Sequence, residues 1–270
     1  MKEFKSFYKT VGGNEGTKCR YNTRLDLYGC GCQHDCAYCY AKSLLNFRGL
    51  WNPAEPAVAD LAKVEKRIAK LKPGTIVRLG GMTDCFQPME AQEKATMRAV
   101  ELLNRYGIGY LIVTKSDLVC EYMHILDKRL AHVQVSTTWI PAEKAVSTVR
   151  RIRAIETLQA EGFDVAVRLS PYVPQFVDFD QLNAIQCDKI IVEFLRVNHW
   201  IRSWLPLDYS EYTVKHAGYS HLPLGKKVEA LAKITGFDQV SVCEDVTEHW
   251  EYFREAVNYN KNDCCNLRRE

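Results

Sequence analysis

Three cysteines, Cys32, Cys36 and Cys39, stand in a C-x3-C-x2-C spacing on a glycine-bearing loop that follows an alternating, strand-like run from Leu25. Thiolates this close along one loop can converge, and soft sulfur donors select iron–sulfur clusters, zinc or copper(I). A structural zinc site normally closes with four ligands, often as two C-x-x-C pairs far apart in sequence. Here one loop supplies three, a count that favours a cluster with one iron left open. Cys30 or His34 could fill a fourth position, so zinc stands as the alternative.

Such a loop needs a scaffold, and the following chain reads as one. A helix is predicted over Ala41–Phe47, and another starting at Asn52–Pro56 and running to about Lys70. Apolar runs at Thr75–Leu79, Gly109–Val113, His132–Val135, Asp164–Leu169 and Lys189–Val192 predict buried strands. Helical patterns separate them at Glu90–Tyr106, Leu118–Arg129, Val146–Glu161 and, more weakly, Asp180–Ile185. This alternation predicts an α/β fold of successive βαβ units with a parallel sheet. Each strand stops abruptly at polar, glycine or proline residues, at Gly80–Asp84, Thr114–Ser116, Ser136–Trp139, Ser170–Tyr172 and Glu193–Arg196. In α/β folds that edge carries the active site, because its loops converge on one mouth.

The chain divides into an N-terminal arm (1–23), the strand–helix core (24–197) and a C-terminal extension (198–270) expected to close or cover the core. The extension repeats an α-β-α pattern at Lys226–Thr235, Gln239–Val242 and Glu248–Val257. Before it, Asn198–Ser220 is rich in Trp, Tyr and His without a clear period, as a substrate-covering segment would be.

Hydrophobic residues at 47% and charged ones at 26% exclude a disordered chain, and 270 residues suffice for a sizeable core. A net charge of +3 is compatible with a polyanionic partner, but lacks the concentrated basic patch of a dedicated nucleic-acid binder. No run approaches the roughly 20 apolar residues of a membrane span. The opening residues carry no signal-peptide core, and eleven cysteines is an odd number. Together these predict a reducing, cytoplasmic setting in which clustered cysteines serve metal binding or catalysis.

With Tyr38 as its aromatic, the loop pattern C-x3-C-x-aromatic-C resembles the cluster loop of the radical S-adenosylmethionine (SAM) superfamily. Gly80–Asp84 resembles that superfamily's glycine motif, and Thr83–Glu90 resembles the T-D-x-[FY]-Q-P-x-E signature of its spore photoproduct lyase-like branch. Val113–Ser116 and Val135–Thr138 resemble two further strand-end segments of that branch.

The resemblance implies a partial (β/α)6 TIM barrel in which Cys32, Cys36 and Cys39 hold a [4Fe–4S] cluster. SAM would chelate the open iron and be cleaved on reduction to a 5′-deoxyadenosyl radical that takes a hydrogen atom from substrate. A flavodoxin- or ferredoxin-type reductant is implied as partner. By the same resemblance, SAM contacts fall on Tyr38, Gly80, Gly81, Thr83, Asp84, Lys115, Ser136 and Arg168. A strand-end salt bridge is the other reading of Arg168. Tyr38 and Tyr40 match tyrosines proposed in the lyase to pass a hydrogen atom. Gly81 stands where the lyase has its hydrogen-donor cysteine, so either Cys85 quenches the radical or the reaction differs. A nucleic-acid base is the implied substrate, with a peptide or small metabolite, and a non-catalytic metal-binding module, as alternatives.

Two further groups stand apart. Cys19, Cys243, Cys264 and Cys265 could form a second metal site or simply belong to the core. His199, Trp200, Trp204 and Tyr209 could stack bases or pack together.

Overall fold

The computed structural model describes residues 4–9, 18–141 and 143–268. The strands in chain order are β1 (Phe7–Lys9), β2 (Thr23–Leu25), β3 (Tyr28–Gly29), β4 (Ala57–Val58), β5 (Ile76–Leu79), β6 (Gly109–Thr114) and β7 (Ala131–Thr137). They continue as β8 (Asp164–Tyr172), β9 (Lys189–Phe194), β10 (Val214–His216), β11 (Tyr219–His221) and β12 (Gln239–Val242). Eight form one sheet in the order β1-β2-β5-β6-β7-β8-β9-β12. Every pair from β2 to β12 is parallel, and β1 lies antiparallel on the edge of β2. Buried on both faces, such strands read as continuous apolar runs.

Because strand order follows chain order, each crossover packs on the same side and the strands' C-terminal ends share one edge. The expected six parallel strands are present, and β12 adds a seventh beside β9, so the C-terminal extension continues the sheet. The ladder ends at β1 on one side and β12 on the other, leaving the barrel open. Residues 1–3 and 10–17 of the expected arm lie outside the described residues. None of the described helices is long and apolar enough to cross a membrane.

The crossover helix Ala95–Arg105 illustrates the packing. It buries Ala95, Thr96, Ala99, Val100 and Leu103, one face at helical spacing. Leu103 is fully buried, and its truncation to Ala would cost about 2–5 kcal/mol. The predicted single helix over 90–106 is in fact two, Glu90–Glu93 and Ala95–Arg105, broken at Lys94 with φ 52°. The break turns Glu90 inward, where its carboxylate accepts from the N–H groups of Thr96 (2.9 Å) and Met97 (3.1 Å) and so caps the second helix.

Two other predictions are corrected. Asn52–Pro56 starts no helix: β4 pairs with β3, and the helix begins at Leu61, where Asp60 accepts from Ala62 and Lys63 N–H. Leu118–Arg129 is a 3-10 turn over Asp117–Tyr122 followed by turns. There the backbone is diverted to side chains, with Ile125 O accepting from Asn104 and Asp127 N donating to Tyr110. Asn198–Ser220 gains a short helix, His199–Trp204, and the hairpin β10–β11 begins within it.

Candidate active site

A cavity opens at the C-terminal edge of the sheet, where β5 to β9 run out. Cys32, Cys36 and Cys39 line one wall, and all three are free thiols. Gly31 lets the loop pass against the Asn52 carbonyl, where a Cβ would collide with backbone. Cys39 caps helix Tyr40–Phe47, its sulfur accepting from Lys42 N–H at 3.4 Å. Burial pushes all three thiols above their ordinary range, so metal binding would release their protons. Cys36 is an electrostatic neighbour of both Cys32 and Cys39.

Among the described residues, no three His, Cys, Asp or Glu side chains converge closely enough to hold a single metal ion. A zinc would need its sulfurs at about 2.3 Å from one point. A cluster instead takes each thiolate on a separate iron, and the soft donor set of this loop fits that group.

The stretch Thr83–Glu90 fixes the cysteine loop. Thr83 Oγ1 donates to Tyr28 O (2.5 Å), and Tyr28 donates to Glu90. Gln33 and the stretch bond reciprocally: Gln33 N donates to Gln87 Oε1 (2.8 Å), and Met89 N donates to Gln33 Oε1 (2.6 Å). Asp84 accepts from Thr114 Oγ1 (2.7 Å) and Lys115 N (2.6 Å), with His34 Nε2 at 3.3 Å from its other face. Burial alone would raise the Asp84 carboxyl, but His34 and these donors hold it below the usual range. The Thr83 and Asp84 side chains therefore serve the scaffold, although both line the cavity.

Gly80 takes φ +80°, and a Cβ there would sit 2.6 Å from Val113 O. The amides of this turn are already engaged: Gly81 N (2.7 Å) and Met82 N (3.0 Å) donate to the buried Asp26 carboxylate. Tyr40 donates to Gly81 O, joining the cysteine helix to the same turn.

Lys115 follows β6 and is largely buried, its side chain 16% exposed. Its ammonium donates to Ser136 Oγ (2.7 Å) and Ser170 O (3.0 Å), lies 5.1 Å from the centre of the Tyr38 ring, and has Glu143 3.8 Å away. Glu143 is itself paired with Arg151. Burial therefore dominates and pushes Lys115 down to about 8. Ser170 O, which also accepts from Ser136 Oγ (2.8 Å), lies where the β8–β9 ladder is irregular between Leu169 and Tyr172. Arg168 donates to Gln134 (2.8 Å) and Glu193 (2.6 Å), so it forms a strand-end salt bridge while lining the cavity. Against the effect of burial, Arg168, Arg196 and Arg78 hold the Glu193 carboxyl down at about 2.

The cavity thus gathers Cys32, Cys36, Cys39, Tyr38 and Tyr40 from the loop. From the strand ends come Gly80, Gly81, Thr83, Asp84, Lys115, Ser136 and Arg168. Cys85 is not brought there: it is 1% exposed, inside the main hydrophobic core, and burial keeps it a thiol. It is absent from the cavity lining, so the structure does not bring this expected quencher to the site. Tyr209 is buried, donates to Leu205 O (2.5 Å) and packs on Tyr212, while the part-buried Trp200 and Trp204 pack on each other at 5.7 Å. Sequence reasoning missed Gln33, Asp26 and Glu143, polar loop residues whose partners lie far away in the chain. Glu143 reaches to 3.9 Å from Cys36 Sγ.

No protein-family model matches the chain. An uncharacterised protein of Methanocaldococcus jannaschii is 25% identical over 166 residues, 56% of this chain and 61% of that one. The match thus spans less than two thirds of the relative. A double mutant of spore photoproduct lyase with bound S-adenosylmethionine and dinucleoside spore photoproduct superposes with a TM-score of 0.61 at 14% identity. That match covers 83% of this chain and 77% of the lyase. A further lyase structure, complexed with dinucleoside spore photoproduct, gives 0.61 at 15% identity over 82% and 76%. A single-site mutant gives 0.63 at 15% over 87% and 79%. The chain therefore has the fold of spore photoproduct lyase, an open barrel of parallel strands with a cysteine loop at its mouth.

Proposed function

We propose that this chain is a radical SAM enzyme in which Cys32, Cys36 and Cys39 hold a [4Fe–4S] cluster and the adjoining cavity binds SAM. One observation carries the reading: a largely buried ammonium, Lys115, whose nearest carboxylate is shared with Arg151, lines the same cavity as three thiols on one loop. Cluster and SAM together supply, when bound, one-electron cleavage to a 5′-deoxyadenosyl radical that takes a hydrogen atom from substrate. The protein's share is binding, orientation and exclusion of water.

In this reading Lys115 and Ser136 bind the SAM carboxylate through charge-assisted hydrogen bonds. Tyr38 and the Gly80–Gly81 turn shape the wall beside it. Arg168, neutralised by Glu193, positions that wall instead of offering a free charge. Tyr40, bonded to Gly81 O, ties the loop to the turn, and any part it takes in hydrogen transfer requires that bond to break. A small one-electron carrier of flavodoxin or ferredoxin type would deliver the electron.

For the substrate we favour a nucleic-acid base. Spore photoproduct lyase has been solved with a dinucleoside. In this chain Trp51 lines the cavity, and the Arg196 guanidinium lies 4.9 Å from the Tyr40 ring and 5.7 Å from that of Tyr219. Flat π and guanidinium faces suit a base.

The test is anaerobic reconstitution with iron and sulfide, then dithionite and SAM, with chromatographic assay of 5′-deoxyadenosine. Product from the native chain and none from Cys36→Ala is expected; none from a fully loaded native chain would overturn the proposal. Oligonucleotide binding with a steep salt dependence is expected for the substrate class. Absence of binding at low salt would exclude it.

A further inference from the structure

A second group of cysteines lies away from the loop. Cys19 sits in the connection between β1 and β2, Cys243 directly follows β12, and Cys264 and Cys265 lie in the tail beyond helix Thr247–Ala256. These places are remote in sequence, yet the fold brings them to one locality. Cys19, Cys264 and Cys265 join a satellite core with Tyr21, Leu111 and Leu267. Cys264 makes thiol contacts with both Cys243 and Cys265, and Cys19 is an electrostatic neighbour of Cys243 and Cys265. All four are free thiols.

The location follows from the open barrel. The tail runs between the two ends of the sheet: Tyr21, just before β2, donates to Asp263, and Asn266 donates to Gln239 of β12 (2.5 Å). Lys189 of β9 donates to Asn266 O (3.0 Å). The cysteines therefore come from both edges of the gap and from the segment that fills it.

Three buried guanidiniums adjoin the cysteines, of which Arg168 and Arg78 also act on the Glu193 carboxylate. Arg24 and Arg78 face Cys19, and Arg78 and Arg168 face Cys265. Guanidiniums beside clustered sulfur would offset part of the charge of an anionic metal–thiolate centre.

We infer that Cys19, Cys243, Cys264 and Cys265 form a second metal site that takes an iron–sulfur cluster with protein thiolates at every corner. Adjacent cysteines are poor partners on one ion but can bind neighbouring irons of a cluster. The two thiols contact each other, in a stretch of chain that turns on to Asn266 at φ 46°. A single zinc would need the sulfurs on one point, and among the described residues they do not converge that closely. Fully ligated, such a cluster leaves no iron open to SAM. It would fasten the gap in the barrel, with Arg168 between it and the cavity.

The test removes the first site, so its outcome is independent of the proposed SAM chemistry. Cys32→Ala/Cys36→Ala/Cys39→Ala protein, reconstituted anaerobically with ferrous iron and sulfide, is expected to retain about four irons and four sulfides per chain and visible thiolate-to-iron absorbance. Adding Cys243→Ser and Cys264→Ser should bring both to background with unchanged far-UV circular dichroism. A folded triple variant without iron and sulfide, or one holding stoichiometric zinc, would overturn the inference. Should the triple variant misfold, Cys243→Ser/Cys264→Ser in the native chain gives the second readout. Iron should then fall from about eight to about four per chain, and unchanged iron would count against the site.

Discussion

The two edges of the sheet both bury charge but complete it differently. At the N-terminal edge, Lys189 Nζ lies 2.5 Å from Asp164 Oδ1, and His132 Nδ1 lies 2.5 Å from Oδ2, which also accepts from Arg268 N–H at 2.8 Å. At the C-terminal edge, Lys115 meets a hydroxyl and a carbonyl, and the carboxylate at 3.8 Å belongs to Arg151. One charge is completed by close carboxylate contacts; the other has only a hydroxyl, a carbonyl and a shared carboxylate, and in the proposed function it takes the SAM carboxylate. A largely buried cation whose nearest carboxylate is shared with another cation is costly, and its place beside three thiols is what the proposed SAM site rests on.

The comparison can be broken by substitutions that separate stability from binding. The largest effect belongs to Cys36→Ala, expected to remove cluster iron from the loop and abolish 5′-deoxyadenosine formation, measured by iron assay and product chromatography. Next is Asp164→Asn at the opposite edge. Against burial, His132 and Lys189 hold the Asp164 carboxyl at about 2, below its unfolded value, so its stabilisation is present at neutral pH and lost as pH falls from about 4 toward 2. Urea unfolding should show a loss of about 2–3 kcal/mol at pH 7 that vanishes near pH 2, with SAM affinity unchanged.

Lys115→Met should do the reverse. Losing a charge-assisted bond of about 1.5–3 kcal/mol should weaken SAM binding by calorimetry roughly 10- to 100-fold, with the thermal midpoint unchanged or raised. Should the midpoint fall sharply instead, the two edges are alike and the contrast fails. The smallest effect is expected from Gln87→Leu, which frees Gln33 N at a cost of about 1 kcal/mol. Its readout is faster iron loss to a chelator, with the sheet intact by circular dichroism.

Much of this arrangement was legible in the chain. Strand bodies such as Gly109–Thr114 bury Tyr110, Leu111 and Ile112 in succession, and so appear as apolar runs that stop where the site begins. The cysteine spacing located the loop because ligands close in sequence need no tertiary information. What was hidden depends on contacts across the fold. Glu90 reads as an ordinary helix residue until Tyr28, Thr96 and Met97 turn it inward and break the helix at Lys94. Thr83 and Asp84 sit at the mouth, but their hydrogen bonds go to Tyr28, Thr114 and Lys115, a choice that spacing does not encode. Cys85, one residue further, points into the core for the same reason of local turn geometry.

Electron paramagnetic resonance of the dithionite-reduced, reconstituted chain tests the central claim most directly. The account predicts a cluster signal whose g-values shift when SAM is added, a shift that weakens in Lys115→Met. A cluster signal indifferent to SAM in the native chain would contradict it.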